Sequence, residues 1–326
     1  MNLTVAALDP DLSTDRKQPT DLVLGIDIGG SKIAAGVLSP AGRILGRWRR
    51  PTPRTGGAAV MAEVIDIAHT AMKTHHVTAI GVGAPGVVDT TLGRILSATD
   101  ILPGWTGTEV GFLLREATGL PVTVGNDVRA TALGEAHHGA GRDLTRVLVA
   151  SIGTGVGGAL LVEGKLQSGP HGTTGEIAHL LIPGAGLLPC GCGRRDHLES
   201  AVAGPAIQAS YARRTGTTGI ELPEIAHRWT HGDHEAQQAI LSAASLLGRA
   251  LAGFASAVDV DGLVIGGGVA QIGEPFLAPI RRAFRESVIA PLRDIPVRAA
   301  ELGTDAPLIG AADMAFAILT YGGLRA

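Results

Sequence analysis

Two glycine-broken hairpins constrain this chain more than anything else in it. Residues 22–39 read LVLGIDIGGSKIAAGVLS, and residues 146–162 read RVLVASIGTGVGGALLV. Each is an apolar strand, a glycine-rich turn and a second apolar strand. A chain that opens two distant stretches with the same grammar is expected to form two similar halves around a cleft. Asp27 is the anomaly. A carboxylate between two isoleucines costs several kcal/mol on a buried strand unless something pairs with it. Either the position faces solvent, or a cation or polar ligand belongs beside it.

The surrounding sequence alternates strands and helices, which indicates an α/β fold. After residues 1–20, a polar and aperiodic leader, comes a meander whose third member, RILGRWRR at 43–50, reads as a solvated edge. Gly56 to Lys73 has apolar residues at helical intervals, VTAIGVGAPG is a strand running into a loop, and 109–119 is a helix closed by Gly119. PVTVGND at 121–127 is the next strand. In the second half, residues 234–258 form a long Ala/Leu-rich helix, DGLVIGGGVA is a buried strand entering a glycine loop, and 308–323 is a terminal helix. The length of 326 residues suits two domains, at 21–128 and 129–307.

Glycine, at 47 residues, is about twice its usual share of roughly 7%. It clusters in short loops, where backbone approaches a ligand or takes positive φ. The net charge of −3 gives no reason to expect nucleic-acid binding. No apolar stretch approaches the roughly 20 residues of a membrane span. The two cysteines, Cys190 and Cys192, are too close for an unstrained disulfide, which favours a reducing, cytoplasmic setting.

GVGAPG at 81–86 and GTGVGG at 153–158 match the spacing of a dinucleotide loop. Neither is followed by a helix that would offer its N-terminus to a pyrophosphate, so that reading fails. What remains is a pair of turns whose backbone N–H groups face an anion. One turn from each half would clamp a polyphosphate, and Asp27 would hold Mg2+ through water. The plain alternative is two ordinary turns, with Asp27 paired to a nearby basic residue.

GIDIGGSK, GVGAPGVVD, GNDVRATALGE, SIGTGVGG, GEIAH, CGCGRRDHLES and VIGGGV follow one another along the chain. In that order they resemble the ROK family of bacterial sugar kinases and sugar-responsive repressors. The resemblance implies the actin-like ATPase (ribonuclease H-like) fold, two similar domains around a central cleft, with the terminal helix returning to the first. It also implies that Asp127 takes the proton from the attacking sugar hydroxyl, a sensible task for a carboxylate aimed from a strand end. Asn126, Glu176, His179 and Glu199 would bond sugar hydroxyls, with backbone near Gly86 on the sugar's other side. MgATP would lie against Asp27, Gly29, Gly30, Ser31 and Lys32 in the first half. Thr154, Gly155, Gly267 and Gly268 would meet it from the second. Read without the family, Asn126 is a helix N-cap and the glutamates are exposed acids.

Members of the family commonly hold a structural Zn2+ with a histidine and three cysteines. Here His197 stands at the third cysteine position and Asp196 at a glycine, so the implied set is His179, Cys190, Cys192 and His197. Two thiolates with two imidazoles remain a good tetrahedral set, and the alternative is a site that has decayed.

Three functions compete: an ATP-dependent hexose kinase, a sugar-sensing repressor, and an actin-like structural ATPase. The family's repressors carry an additional N-terminal DNA-binding domain, for which residues 1–20 leave little room. A structural ATPase has no use for Asn126, Asp127, Glu176 and Glu199 together. The expectation is a glucokinase-like kinase acting on a free sugar, a homodimer with neither nucleic acid nor membrane as partner. An N-acetylated or amino sugar or a cyclitol is the alternative substrate, because Ile101 stands where many members of the family have Asn and the loop that bears Asp196 and His197 would flank the sugar.

Overall fold

The computed structural model describes residues 21–98, 102–182 and 188–322. The expectations for the leader at 1–20, for Ile101 and for Gly323 fall outside them. The first half runs β1 (Leu22–Ile28), β2 (Lys32–Leu38), β3 (Ile44–Pro51), α1 (Gly57–Thr74) and β4 (Val77–Ala84). A small hairpin of β5 (Val87–Asp89) and β6 (Arg94–Ser97), then α2 (Val110–Thr118), β7 (Val122–Asn126) and α3 (Asp127–His138), complete it. The second half has β8 (Arg146–Ile152), β9 (Val156–Val162), β10 (Lys165–Leu166), α4 (Glu199–Val202), α5 (Gly204–Thr215) and α6 (Leu222–Thr230). It continues with α7 (His234–Val258), β11 (Gly262–Gly266), α8 (Glu274–Ser287), β12 (Val297–Ala299) and α9 (Ala306–Gly322).

The strands form two five-stranded sheets of one topology, β3-β2-β1-β4-β7 and β10-β9-β8-β11-β12. In each, an antiparallel meander is extended by two parallel strands. β3 is the solvated edge its alternation predicts, and Arg47 on it clasps Asp305 at 2.7 Å.

Local sequence sets the helix ends. Gly119 closes α2 at φ +69, and the Asp233 carboxylate caps α7 by accepting from Glu235 N–H and Ala236 N–H. By length and composition α7 would span a membrane, but Ala236, Ala239, Ile240, Ala243 and Leu247 bury one face in the second core. α9 returns to the first sheet, packing Ile309, Ala312 and Ala315 on Val23 and Ala79. It also lies so close to α3 that a Cβ on Gly310 would overlap the Ala130 carbonyl. α3 in turn packs Ala132, Leu133 and Ala136 on Val147, Val149 and Leu161 of the second sheet. Thus α3 continues from the first sheet and beds on the second.

Candidate active site

Asp27, Gly83 and Gly125 lie side by side across β1, β4 and β7, at the carboxyl ends of three parallel strands. Ligands of open α/β sheets bind at such ends. Burial, reinforced by the nearby Asp127 charge and only partly offset by Lys32, pushes the Asp27 carboxyl up to about 7. No basic side chain neutralises it by direct contact among the described residues, so the plain alternative of a paired Asp27 is not realised. Asp27 and Lys32 line a cavity of about 360 Å3 with Ser151, Gly266, Gly267 and Gly268 from the second half.

The first turn is braced from outside. Gly29 N–H donates to the Lys32 carbonyl at 2.9 Å. The buried Thr52 hydroxyl donates to the Gly29 carbonyl at 2.7 Å, and Thr52 N–H donates to the Ser31 carbonyl at 3.1 Å. Gly30 sits at the bend, and the Ser31 side chain is exposed.

Asn126 and Asp127 divide the work at the start of α3. The Asn126 oxygen accepts from Val128 N–H at 3.0 Å and Arg129 N–H at 3.2 Å, so it is the N-cap. Its amide group donates to the Gly86 carbonyl at 3.1 Å, which leaves one amide hydrogen for a ligand. Gly86 has φ +100 there, and its carbonyl is committed to this bond. One oxygen of Asp127 accepts from Val128 N–H at 2.9 Å, and burial pushes the carboxyl up to about 6. Asn126 supplies the N-cap, so the cap does not account for the acid beside it.

Glu176 precedes a single 3-10 turn, Ile177–His179, and is exposed. Its carboxyl is raised by desolvation and by Glu199, against the pull of His179 and Arg129, so these groups face one region. Glu199, at the start of α4, accepts from Val156 N–H at 2.9 Å, at the foot of the second turn. A Cβ on Gly155 would stand 2.8 Å from the same Glu199 oxygen. Glu199 therefore joins the second turn to the segment that follows the cysteine loop.

His179, Cys190, Cys192 and His197 bring one ligand atom each within 4.8 Å of one another. His179 Nδ1 lies 3.1 Å from His197 Nδ1, which lies 3.2 Å from Cys192 Sγ. Both cysteines are free. Two sulfurs and two imidazole nitrogens so gathered fit a tetrahedral Zn2+. Asp196 has φ +59, a left-handed conformation that Asp tolerates better than most residues, which accounts for its standing where the motif has glycine. Its carboxylate also accepts from Leu188 N–H at 2.8 Å.

A cavity of about 730 Å3 opens beside the second turn between Gly153, Thr154, Gly268, Pro205, Trp229 and Ile272. Its mixed apolar and backbone lining suits a flat heterocycle with a sugar attached. Gly267, at φ +88, lies so tightly against β8 that a Cβ would meet the Ile152 carbonyl at 2.3 Å.

Three supporting residues escape the sequence reading. Thr52 is a lone threonine after a basic strand and carries no motif. Buried Trp105 donates from Nε1 to the Pro85 carbonyl at 3.1 Å, holding the GAPG loop. Arg129 donates to the carbonyls of Gln167 at 2.7 Å and Gly172 at 3.2 Å, pinning the segment that leads to Glu176. Only Trp105 had a signal, as a large aromatic in a chain with 3% aromatic residues.

The ROK family model matches residues 23–318. A glucokinase from Halalkalibacterium halodurans is 33% identical, over 88% of this chain and 92% of its own. A ROK hexokinase from Thermus thermophilus superposes with a TM-score of 0.83 at 34% identity, covering 92% of this chain and 99% of that one. A ROK family glucokinase from Streptomyces griseus, solved with glucose and AMPPNP, superposes at 0.79 with 35% identity, covering 91% and 99%.

Proposed function

The chain belongs to the ROK family, and from that premise we propose that it is an ATP-dependent, glucokinase-like hexose kinase that phosphorylates the 6-hydroxyl of glucose. The observation that carries this is the pair of carboxylates, Asp27 at the end of β1 and Asp127 just past β7, both raised toward neutrality, Asp27 in part by the charge of Asp127. An acid held in a cleft with its titration so raised is a candidate for function. ATP as donor is supported by the glucokinase relative solved with glucose and AMPPNP.

In this reading the free oxygen of Asp127 takes the proton from the sugar hydroxyl. The hydroxyl oxygen then bonds to the γ-phosphorus, the bond from that phosphorus to the β–γ bridging oxygen breaks, and ADP leaves. Asn126 gives its remaining amide hydrogen to the sugar, which Glu176, His179 and Glu199 hold from the other side. The base and ribose occupy the large cavity beside Thr154 and Gly268. The phosphates run to the smaller one, near Gly155, Gly267 and the first turn at Gly29–Lys32. Mg2+, near Asp27, would neutralise phosphate charge. Zn2+ at His179, Cys190, Cys192 and His197 would fix the loop that aims Glu176 and Glu199, with no open position for chemistry. In the same reading the enzyme works in the cytoplasm as a homodimer on a free sugar, with neither nucleic acid nor membrane as partner.

The test is coupled ADP release with Asp127→Ala over a panel of glucose, N-acetylmannosamine, other hexoses and cyclitols. Turnover should fall roughly 10²–10⁴-fold, the worth of a positioned base, while circular dichroism stays unchanged. Turnover near wild type removes Asp127 as the base, and glucose turned over no faster than a cyclitol removes the substrate.

A further inference from the structure

Away from the cleft, the helix that begins with Asp127 ends in a pair of histidines, His137 and His138. The two ends of α3 are roughly 17 Å apart at 1.5 Å per residue. On α9, Asp313 offers one oxygen to each ring: Oδ2 lies 2.9 Å from His137 Nδ1, and Oδ1 lies 3.0 Å from His138 Nε2. His137 Nε2 lies 2.7 Å from the Gly164 carbonyl in the turn between β9 and β10.

These contacts fix the chemistry. A carbonyl only accepts, so His137 Nε2 carries a hydrogen. In the neutral ring Nδ1 is then a bare lone pair, aimed at a carboxylate that also only accepts. A cation must stand between them, either a second proton or a metal ion. The setting favours positive charge, since both histidines sit in the last turn of α3, where the helix carbonyls add negative potential. The nearby charges are committed elsewhere or carry the wrong sign. Arg142 pairs with Glu301 at 2.8 Å, Asp143 pairs with Arg298, and Glu163 is acidic.

We propose that His137, His138 and Asp313 form a second metal site, distinct from the cysteine loop, which takes a divalent transition cation of the zinc class. The three ligand atoms lie within 4.8 Å of one another. With bonds of about 2.0–2.2 Å the two nitrogen–oxygen separations subtend about 90°, the angle between neighbouring corners of an octahedral shell. Histidine ligands characteristically donate their other N–H to a carbonyl or carboxylate, as His137 does to Gly164. Side-chain exposures of 35%, 23% and 12% leave the site open to ions from solution. The ion would staple α9 and the β9–β10 turn to the far end of the helix that carries Asp127.

Chelator-treated protein is loaded with Zn2+ or Ni2+, desalted and analysed for metal, and its thermal denaturation is followed. Wild type should hold one equivalent more than His137→Gln and than Asp313→Asn, and its Tm should rise with metal more than theirs. A variant with Cys190→Ser and Cys192→Ser should keep that equivalent. If Asp313→Asn does not fold, His137→Gln gives the same reading. Equal metal content in wild type and the folded variants overturns the site. So does a melting temperature that falls as pH rises but is indifferent to metal, because the bridging cation is then a proton.

Discussion

Asp27 and Ser151 hold the same place in two sheets of one strand order. Each is the second residue from the end of a first hairpin strand, paired across to Ala34 and Gly157 respectively, and beside a glycine on the parallel neighbour, Gly83 or Gly266. Both line one cavity. One is a carboxylate pushed up to about 7 and the other a neutral hydroxyl. The folds of the two halves repeat, but the charge does not. In the proposed function the shared hairpin presents turn N–H groups to an anion from both sides. An acid on each side would then place two negative charges against the same phosphates, so one cation-binding carboxylate would suffice.

The sharpest way to break this asymmetry is Asp27→Asn, which makes the two positions alike. It should lower kcat/KM with MgATP about 10–100-fold, the usual cost of losing a group that orders a metal's surroundings. Excess Mg2+ should recover only part of the loss. Activity within twofold of wild type would mean that the acid has no part in holding the metal.

The same substitution should change how stability depends on pH. In the folded protein Asp27 titrates near 7, well above its ordinary 3.8, so between those values the native state binds more protons than the unfolded chain. Stability from this group is therefore lost as pH rises from about 4 to 7. Without nucleotide, Asp27→Asn should lose less melting temperature than wild type between pH 5 and 8. Activity runs the other way in the wild-type enzyme. The proton-accepting form of Asp127 is lost as pH falls through about 6, so kcat/KM should decline on the acid side of that value. A rate flat down to pH 5 would separate the raised carboxyl from catalysis.

The asymmetry also explains what could be read in advance. Glycine runs between apolar strands mark the two turns, and the alternation of elements gives both sheets, because these are local patterns. Asp27 stands out because its charge contradicts its neighbours. The N-cap bonds of Asn126 to Val128 and Arg129 are local and legible, but nothing local reveals that its amide goes to Gly86, so that only one hydrogen remains for a ligand. Thr52 bracing Gly29, and Glu199 bonding Val156, join segments far apart in the chain. Such bonds depend on the tertiary fold and leave no periodic trace.

Glu199 holds the second turn through a carboxylate where Thr52 holds the first through a hydroxyl, and Gly155→Ala sharpens that difference. The new methyl would stand 2.8 Å from the Glu199 oxygen, so the carboxylate must shift. A cost of about 1 kcal/mol, at the low end for overpacking, corresponds to a KM for sugar raised about fivefold. The KM for ATP should change less, because the turn keeps its backbone. A rise confined to ATP would show that Glu199 serves the nucleotide rather than the sugar.

The smallest effect is expected at Ser151→Ala. If the second sheet contributes backbone and shape and this hydroxyl makes no bond to the phosphates, removing it should cost no more than one neutral hydrogen bond. At about 0.5 kcal/mol, that is a change in kcat/KM of about two- to threefold. The comparison depends on the ratio of the two substitutions more than on either alone. Asp27→Asn should exceed Ser151→Ala by an order of magnitude or so, and only the former should alter the Mg2+ requirement. If Ser151→Ala also raised that requirement, the hydroxyl would be holding the metal's water from the opposite side. The two hairpins would then be partners in one cation site rather than an acid facing a neutral support.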